Sequence, residues 1–182
     1  MTSRRPVKKL IKCKIKYDLS TIKLITSLNK YVFEDIFAVW GKIYRSAMLL
    51  RFNIFARGGG NWPPLAESTI KGRRKGKSKK NKGKVSILID TGTLRNTLQP
   101  MFGYPGQVEE QLENGIRIGI GGNEIHDTES GLTIGELAAI HHFGGSKGKP
   151  PARTILVEPE EKTKLLMIKA LDIGVQKVMK HD

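Results

Sequence analysis

The chain has 182 residues, enough for one domain with a hydrophobic core, and we expect residues 1–182 to form a single domain. Apolar residues make up 38% of it, but no stretch approaches the roughly 18 apolar residues of a membrane span, so no membrane partner is expected. Cys13 is the only cysteine, which excludes a disulfide within the chain, and no apolar signal-peptide core follows the basic N-terminus; both features favour folding in a reducing cytoplasm.

The net charge of +15 is concentrated in two tracts. Residues 1–16, a basic N-terminal extension, contain seven Lys/Arg and no acid, and residues 71–84 contain nine and no acid. The remainder carries 16 basic and 17 acidic residues (32 − 7 − 9 = 16), a net charge of −1. Like charges repel and bury nothing, so we predict a flexible basic loop at 71–84.

This loop has two interpretations. It is either a solvated segment that keeps the protein soluble, or a contact surface for a polyanion, such as nucleic acid or an acidic protein. The residues predicted to make such a contact are Lys71, Arg73, Arg74, Lys75, Lys77, Lys79, Lys80, Lys82 and Lys84.

In the first third of the chain, the alternation of polar and apolar residues predicts a short edge strand over 12–18. Asp18 or Ser20 can cap a helix that continues to Lys30. Apolar residues then recur every three or four positions, which predicts a long, buried helix over 32–55 that ends at the glycines of 57–60.

Beyond these glycines, Pro63 and Pro64 exclude regular structure over 61–69. Leu94 and Leu98, four residues apart, predict one or two helical turns. The later elements are predicted from alternation and from helical spacing. They are strands around 99–104 and 114–122, a glycine-terminated helix over 133–145, an extended connection over 149–156, and an amphipathic helix from Glu158 to Lys180 whose apolar positions include Leu165. The predicted class is α+β, with a small, mostly antiparallel sheet packed against a long N-terminal helix and a C-terminal helix.

The run Leu88-Ile-Asp90-Thr-Gly92 begins like the catalytic strand of an aspartic protease. Such an enzyme needs two carboxylates, so this chain would have to act as a dimer that uses Asp90 twice. These enzymes are almost entirely β-structured and continue as strand after Asp-Thr-Gly. The helical spacing after Gly92 and the two long helical patterns therefore favour an architectural role for this turn.

The adjacent His141 and His142 point about 100° apart on a helix and would not share one metal site. His126 and Cys13 are too distant in sequence to complete a ligand set. The glycine cluster at 119–122 lacks the lysine and following helix of a phosphate loop. We therefore expect no enzymatic activity, metal or cofactor, and one of the two histidines to be packed or hydrogen-bonded in the core.

Five segments occur in an order that resembles the virion-morphogenesis, or tail-completion, family of Mu-like and related tailed phages. They are NWPPLAESTIKG, LIDTGTLRNTL, IRIGIG, LAAIHHFGG and PPARTIL, which together run from about Phe52 to Leu156. The long lysine tract and the basic N-terminus are additional to this pattern, and they leave open which ring of the neck the protein would form.

The resemblance implies structural roles for several residues. Asp90 would accept backbone N–H groups at the start of the Thr-Gly-x-Leu turn, Gly92 would permit the turn, and Leu94 lies on the following helix. Arg153 would pair with a carboxylate or a helix end, in the same chain or in a neighbouring subunit. The residues expected to pack the common core are Trp62, Leu65, His141, Phe143 and Gly144.

The function implied is that of a non-enzymatic structural protein at the head–tail junction, assembled in the host cytoplasm and located in the virion. Such proteins form rings, usually hexameric, around the DNA channel. The partners would be further copies of the chain and other neck, connector and tail proteins, with packaged DNA as a possible ligand of the basic loops. The alternative is a free, basic nucleic-acid-binding protein.

Overall fold

The computed structural model describes residues 11–16, 30–75, 85–112, 115–122 and 131–179. Within these ranges the helices are α1 (Lys30–Ala56), α2 (Glu67–Arg74), α3 (Thr93–Asn96), α4 (Ile134–Phe143) and α5 (Glu161–Met179). The strands are β1 (Ile11–Lys16), β2 (Gln107–Leu112) and β3 (Gly115–Ile120). The predicted α+β class is confirmed. Apart from Lys30, the helix predicted after Ser20 lies outside the described residues.

The strands form one antiparallel sheet in the order β1-β3-β2. β1 is an edge strand, as its alternating lysines predict, and Ile15 lies opposite Ile116 of β3. The alternating isoleucines of β3, Ile116, Ile118 and Ile120, are all buried. Their side chains form the sheet's contribution to the core because every second residue of a strand points to the same face.

Helix α1 supplies the largest part of the core. Its side chains at every fourth position, Trp40, Tyr44, Met48 and Phe52, are at most 3% exposed. α5 runs antiparallel to α1, because Trp40 Nε1 donates to the carbonyl of Met167 at 2.8 Å while a side chain at Gly174 would meet Ile36 nearer the start of α1. The C-terminal helix therefore packs on the long N-terminal helix, and the long helix also contacts the sheet.

The buried face of α5 differs from the predicted one. Thr163, Met167 and Leu171 are buried, whereas Leu165, expected on the apolar face, is 57% exposed. The helix also begins at Glu161 rather than Glu158, since the residues up to Glu160 continue the extended connection. The prediction that Leu171 lies on the buried face is correct. Leu165, which was predicted on the same face, lies on the exposed side of the helix.

The strand predicted around 99–104 is wrong. This segment is a series of bends, and the strand begins only at Gln107. The side chain of Gln107 holds the bends together: its Oε1 accepts the N–H groups of Gly103 and Tyr104 at 2.9 and 3.0 Å, and its Nε2 donates to the carbonyl of Gln99 at 2.9 Å. These bonds take up backbone groups that a strand would use.

The boundary of the predicted basic loop is also wrong. Residues 61–66 are irregular as expected, but the chain becomes helical at Glu67 and stays so to Arg74, which includes the first residues of the basic tract. A negative charge in the first turn and positive charges in the last suit the helix dipole, and Glu67 lies 3.4 Å from Lys71 one turn later. Residues 76–84 lie outside the described residues.

Candidate functional site

The motif segments converge on one cleft of about 550 Å³. It lies between α2, the turn that leads into α3, and the connection that follows α4. Its lining includes six residues that the sequence singles out, namely Leu65, Arg73, Asp90, Leu94, His141 and Arg153. Segments up to 90 residues apart in the chain therefore meet here.

Arg153 forms the floor of the cleft and is 3% exposed. Its Nε donates to the carbonyl of Pro63 at 3.0 Å, and its Nη2 donates to the carbonyl of Pro64 at 3.0 Å. Within the chain, Arg153 therefore binds main-chain carbonyl groups, and the expected carboxylate or helix end is not its partner there. The planar guanidinium reaches the carbonyl groups of both consecutive prolines.

Trp62 completes this crossing of two segments. Its Nε1 donates to the carbonyl of Thr154 at 3.1 Å, and its ring packs edge-to-face on Phe52 and Phe55, with centroids 5.2 and 5.4 Å away. Trp62 is 7% exposed and lies in the core, where the sequence places it. Leu65 is half-buried against the same core. Residues 62–64 are thus fastened to residues 153–154 by three side-chain hydrogen bonds.

The Asp-Thr-Gly run forms a turn that enters α3. Gly92 is the residue before the helix and has φ 85°, a left-handed conformation that glycine adopts readily. Leu94, in the first turn of α3, is buried in the core. Asp90 has a 52% exposed side chain, and its Oδ1 lies 3.9 Å from Nε of Arg73. The chain continues from Gly92 into helix rather than strand, as its spacing predicts.

Asp90 allows a direct test of the architectural interpretation. We expect Asp90→Asn to keep its melting temperature and assembly, because the amide oxygen can still accept a hydrogen bond and a half-exposed ion pair contributes little. Asp90→Ala removes the carboxylate that lies 3.9 Å from Nε of Arg73 and should lower the free energy of unfolding by at most about 1 kcal/mol, because this ion pair is half-exposed. Thermal unfolding of both variants measures this. Loss of biological activity in a well-folded Asp90→Asn protein would instead indicate a chemical role for the carboxylate.

The two histidines of α4 have different environments. Nδ1 of His142 accepts the N–H of Ile155 at 3.1 Å, so His142 is the hydrogen-bonded histidine that the sequence leads us to expect. His141 is half-buried in the cleft wall, and its carbonyl accepts the N–H of Arg153 at 2.7 Å. Burial, and next the positive charge of Arg51, lower the pKa of His142. No group of three potential metal ligands occurs among the described residues.

The pKa of His142 predicts a loss of stability in mild acid. At a pH just below the ordinary pKa of 6.5, the unfolded chain binds a proton at His142 that the folded chain does not bind, because burial and the charge of Arg51 lower the pKa of His142 in the folded state. The stabilisation is complete above that value and is lost as the pH falls from it toward the lowered pKa. We expect the melting temperature to fall more steeply from about pH 7.5 to about pH 5.5 in the wild type than in His142→Asn, which keeps an acceptor that does not titrate. Equal slopes would contradict this.

Phe143 does not pack in the core as expected, since it is 56% exposed. It follows the buried Ala138 by five residues, which places it roughly 140° around the helix from the buried face. Gly144 ends α4 with φ 86°, and a side chain there would lie 3.2 Å from the backbone nitrogen of Ala152. Gly144 therefore lets the connection after the helix pass close to the helix end.

The basic tract divides into a structural residue and surface residues. Arg73 has an 11% exposed side chain, and its Nη1 donates to the carbonyl of Ser86 at 2.6 Å, which ties the end of α2 to the far side of the tract. Arg74 and Lys75 are exposed. Five of the predicted contact residues lie outside the described residues, namely Lys77, Lys79, Lys80, Lys82 and Lys84.

A buried ion pair was not predicted from the sequence. Arg45 of α1 is 2% exposed, forms an ion pair with Glu109 of β2, and donates twice to the carbonyl of Pro100, at 3.2 and 3.1 Å. An arginine within a long helix usually lies on the solvent face, so the residue type alone does not predict burial at position 45. The glycine at position 41, one turn earlier, is the sequence feature that reflects the close approach of Glu109, because a side chain there would lie 2.9 Å from Oε2 of Glu109.

An apolar groove of about 610 Å³ lies on the other side of α1, between α1 and the start of α5. We call it the helix groove, and its main apolar lining consists of Ile43, Ala47, Leu50, Ile54, Phe55 and Leu166. Leu50, Ile54 and Leu166 are 63%, 44% and 48% exposed. Several large apolar side chains exposed together are typical of a protein interaction surface.

None of the helices in the described parts of the chain is long and apolar enough to cross a membrane. No protein-family model, curated protein or solved structure matches the chain. The function must therefore be argued from the motifs and from the geometry of the cleft and the helix groove.

Proposed function

We propose that the chain is a structural virion protein of a tailed phage, which forms a ring, most simply a hexamer, around the DNA channel at the head–tail junction. The observation that carries this proposal is the convergence of the family-like segments on one cleft through contacts that hold the main chain. Arg153 and Trp62 donate their hydrogen bonds to main-chain carbonyl groups, which is a structural role rather than one in substrate binding. The motifs thus support an architectural role.

The distribution of charge and of exposed apolar residues supports a ring. Outside the two basic tracts the chain has a net charge of −1, so copies can pack side by side without strong repulsion. The helix groove offers an apolar surface for such packing. Identical subunits joined head to tail around a rotation axis close into a ring and leave no surface unused.

The proposal is tested first on the purified full-length chain. Light scattering after size-exclusion chromatography and electron microscopy of the same fractions should show a closed ring of several copies. Cryo-electron microscopy of intact virions should then place this ring between head and tail. A chain that stays monomeric at every concentration would contradict the proposal.

The alternative of a free nucleic-acid-binding protein is favoured by one observation, the nine Lys/Arg residues without an acid at 71–84. A monomer that binds DNA tightly would support it. A ring whose DNA binding is weak and sensitive to salt would support the neck protein, since contacts to phosphates alone weaken with a slope of about −0.9 per phosphate neutralised.

The basic tract provides a further prediction. Serine at Arg74, Lys75, Lys77, Lys79 and Lys80 should leave the melting temperature almost unchanged, because the described members of this set are exposed. The variant should assemble less completely or retain less DNA. The matched control is Arg73→Ser, which should lower the melting temperature because Arg73 holds the carbonyl of Ser86. Normal assembly and normal DNA retention of the five-serine variant would contradict the proposed role of the tract.

A further inference from the structure

One exposed surface in the described part of the chain is apolar. Residues 100–106 form the bends before β2, and three of their side chains are exposed: Met101 by 70%, Phe102 by 57% and Tyr104 by 42%. We call Met101, Phe102 and Tyr104 the aromatic knob. Hydrogen bonds from the backbone of Gly103 and Tyr104 to Gln107 hold the bends in shape, so the knob is presented on a fixed backbone.

The aromatic knob and the helix groove lie on opposite sides of α1. Phe102 lies beside Ala38, and its ring centre is 5.9 Å from the guanidinium carbon of Arg45. Ile43, which lines the groove, is two residues from Arg45 and thus roughly 160° away around the helix, at about 100° per residue. A single copy therefore cannot place its own knob in its own groove.

The charges around the two surfaces are complementary. The charged residues that line the helix groove are Lys42, Arg51, Lys162 and Glu160, which leaves an excess of positive charge, and Lys42 and Lys162 are exposed. The depression beside Phe102 is lined by Glu34 and Glu109, of which Glu109 is already paired with Arg45. A knob that enters a groove would bring Glu34 of one copy toward the lysines of the next. Opposite charges at the rim favour this register over the reverse one.

We propose that the helix groove receives the aromatic knob of a second copy of this chain, and that this contact joins neighbouring subunits. The inference rests on the proposed ring and names the surfaces that build it. A protruding surface on one side and a receiving surface on the other give a head-to-tail contact, in which each copy uses its knob once and its groove once. Repetition of this contact gives a ring when the rotation between copies is a whole fraction of a turn without a shift along the axis.

The test uses one variant for each surface and a matched control. Leu50→Glu places a charge in the groove, and Phe102→Glu places one on the knob; Met101→Glu is a second knob variant at a more exposed position. The control is Ile173→Glu, since Ile173 is a 57% exposed isoleucine of α5 that does not line the groove. Circular dichroism and thermal unfolding first establish that each full-length variant is folded.

Light scattering then reports the mass of each species at equal concentration. We expect rings from the wild type and from Ile173→Glu, and single subunits from Leu50→Glu and from either knob variant. A mixture of a groove variant with a knob variant should form a dimer and stop there. The groove variant still has an intact knob and the knob variant an intact groove, which leaves one productive contact.

Each other outcome overturns the inference in a recognisable way. Rings from the groove and knob variants, with a ring-forming wild type, would show that subunits join elsewhere and would leave the proposed function standing. A mixture that remains monomeric would show that the contact is not head to tail. A wild type that never assembles would remove both the ring and the contact.

Discussion

Replacing Trp62 by alanine should lower the free energy of unfolding by about 3–5 kcal/mol, the usual range for a buried aromatic side chain. Trp62 is 7% exposed and packs between Phe52 and Phe55, so its removal leaves a cavity lined by two rings. It also leaves the carbonyl of Thr154 without the indole donor. Since a domain of this kind has about 5–15 kcal/mol in total, the melting temperature should drop by roughly 10 °C.

Trp62→Phe separates the two causes. Phenylalanine keeps an aromatic ring between Phe52 and Phe55 but cannot donate to Thr154, so we expect a loss of about 1–2 kcal/mol. Denaturant titration of both variants, read by circular dichroism, gives the two values. A Trp62→Ala protein that unfolds at the wild-type midpoint would mean that the indole contributes to an interface between molecules rather than to the core.

The second large effect is expected at Arg45. Arg45→Met should cost about 3 kcal/mol, because it leaves Glu109 without its cation and the carbonyl of Pro100 without its two donors. Methionine has a similar length and lacks the charge and the donors, so the change removes the ion pair and the hydrogen bonds with little loss of side-chain volume. Urea unfolding monitored by fluorescence measures the difference.

A double-mutant cycle provides the control. Arg45→Met leaves the carboxylate of Glu109 without a cation, and Glu109→Gln removes the charge of that carboxylate. The loss of stability in the double variant should therefore be smaller than the sum of the losses in the two single variants. The interaction energy should exceed about 1 kcal/mol, because the Arg45 side chain is 3% exposed and that of Glu109 is 19% exposed. Additive losses would show that Arg45 acts through the Pro100 carbonyl alone.

The elements that the sequence predicts well are those whose signal is local and repeated. α1 has apolar residues at helical spacing over its whole length, and β3 alternates isoleucines on a sheet that buries them. α4 carries its own boundaries: Thr133 and Glu136 form a capping box and Gly144 ends the helix. In each case the residues that specify the element lie within it.

The failures have the opposite origin. The bends at 99–106 depend on the side chain of Gln107, and α2 is held by bonds from Arg73 across the basic tract to Ser86. Charge density suggested that residues 71–74 would be loop, but a helix needs only its own backbone bonds and a favourable end charge. In both segments, hydrogen bonds from individual side chains stabilise the conformation, and neither charge density nor apolar spacing reports such bonds.

The sequence predicted which residues form the candidate site better than it predicted the contacts that they make. The motif residues Leu65, Asp90 and Arg153 do meet in the cleft, whereas the partners of Arg153 are two proline carbonyls. Arg45 and Glu109 were missed because 64 residues separate them. The sequence order of motifs shows which segments belong together, and only the packed chain shows which atoms bind.

The bond between Arg73 and Ser86 also limits how far the cationic tract can act. Ten residues lie between Arg74 and Val85, and both ends are held near one another. A chain tethered at both ends extends at most half its contour, about five residues or roughly 17 Å at full stretch. At physiological salt the field of its charges decays within about a further 8 Å. Any polyanion served by this tract must pass within about 25 Å of the end of α2, and in the proposed ring this distance would limit the gap between the ring wall and DNA in its channel.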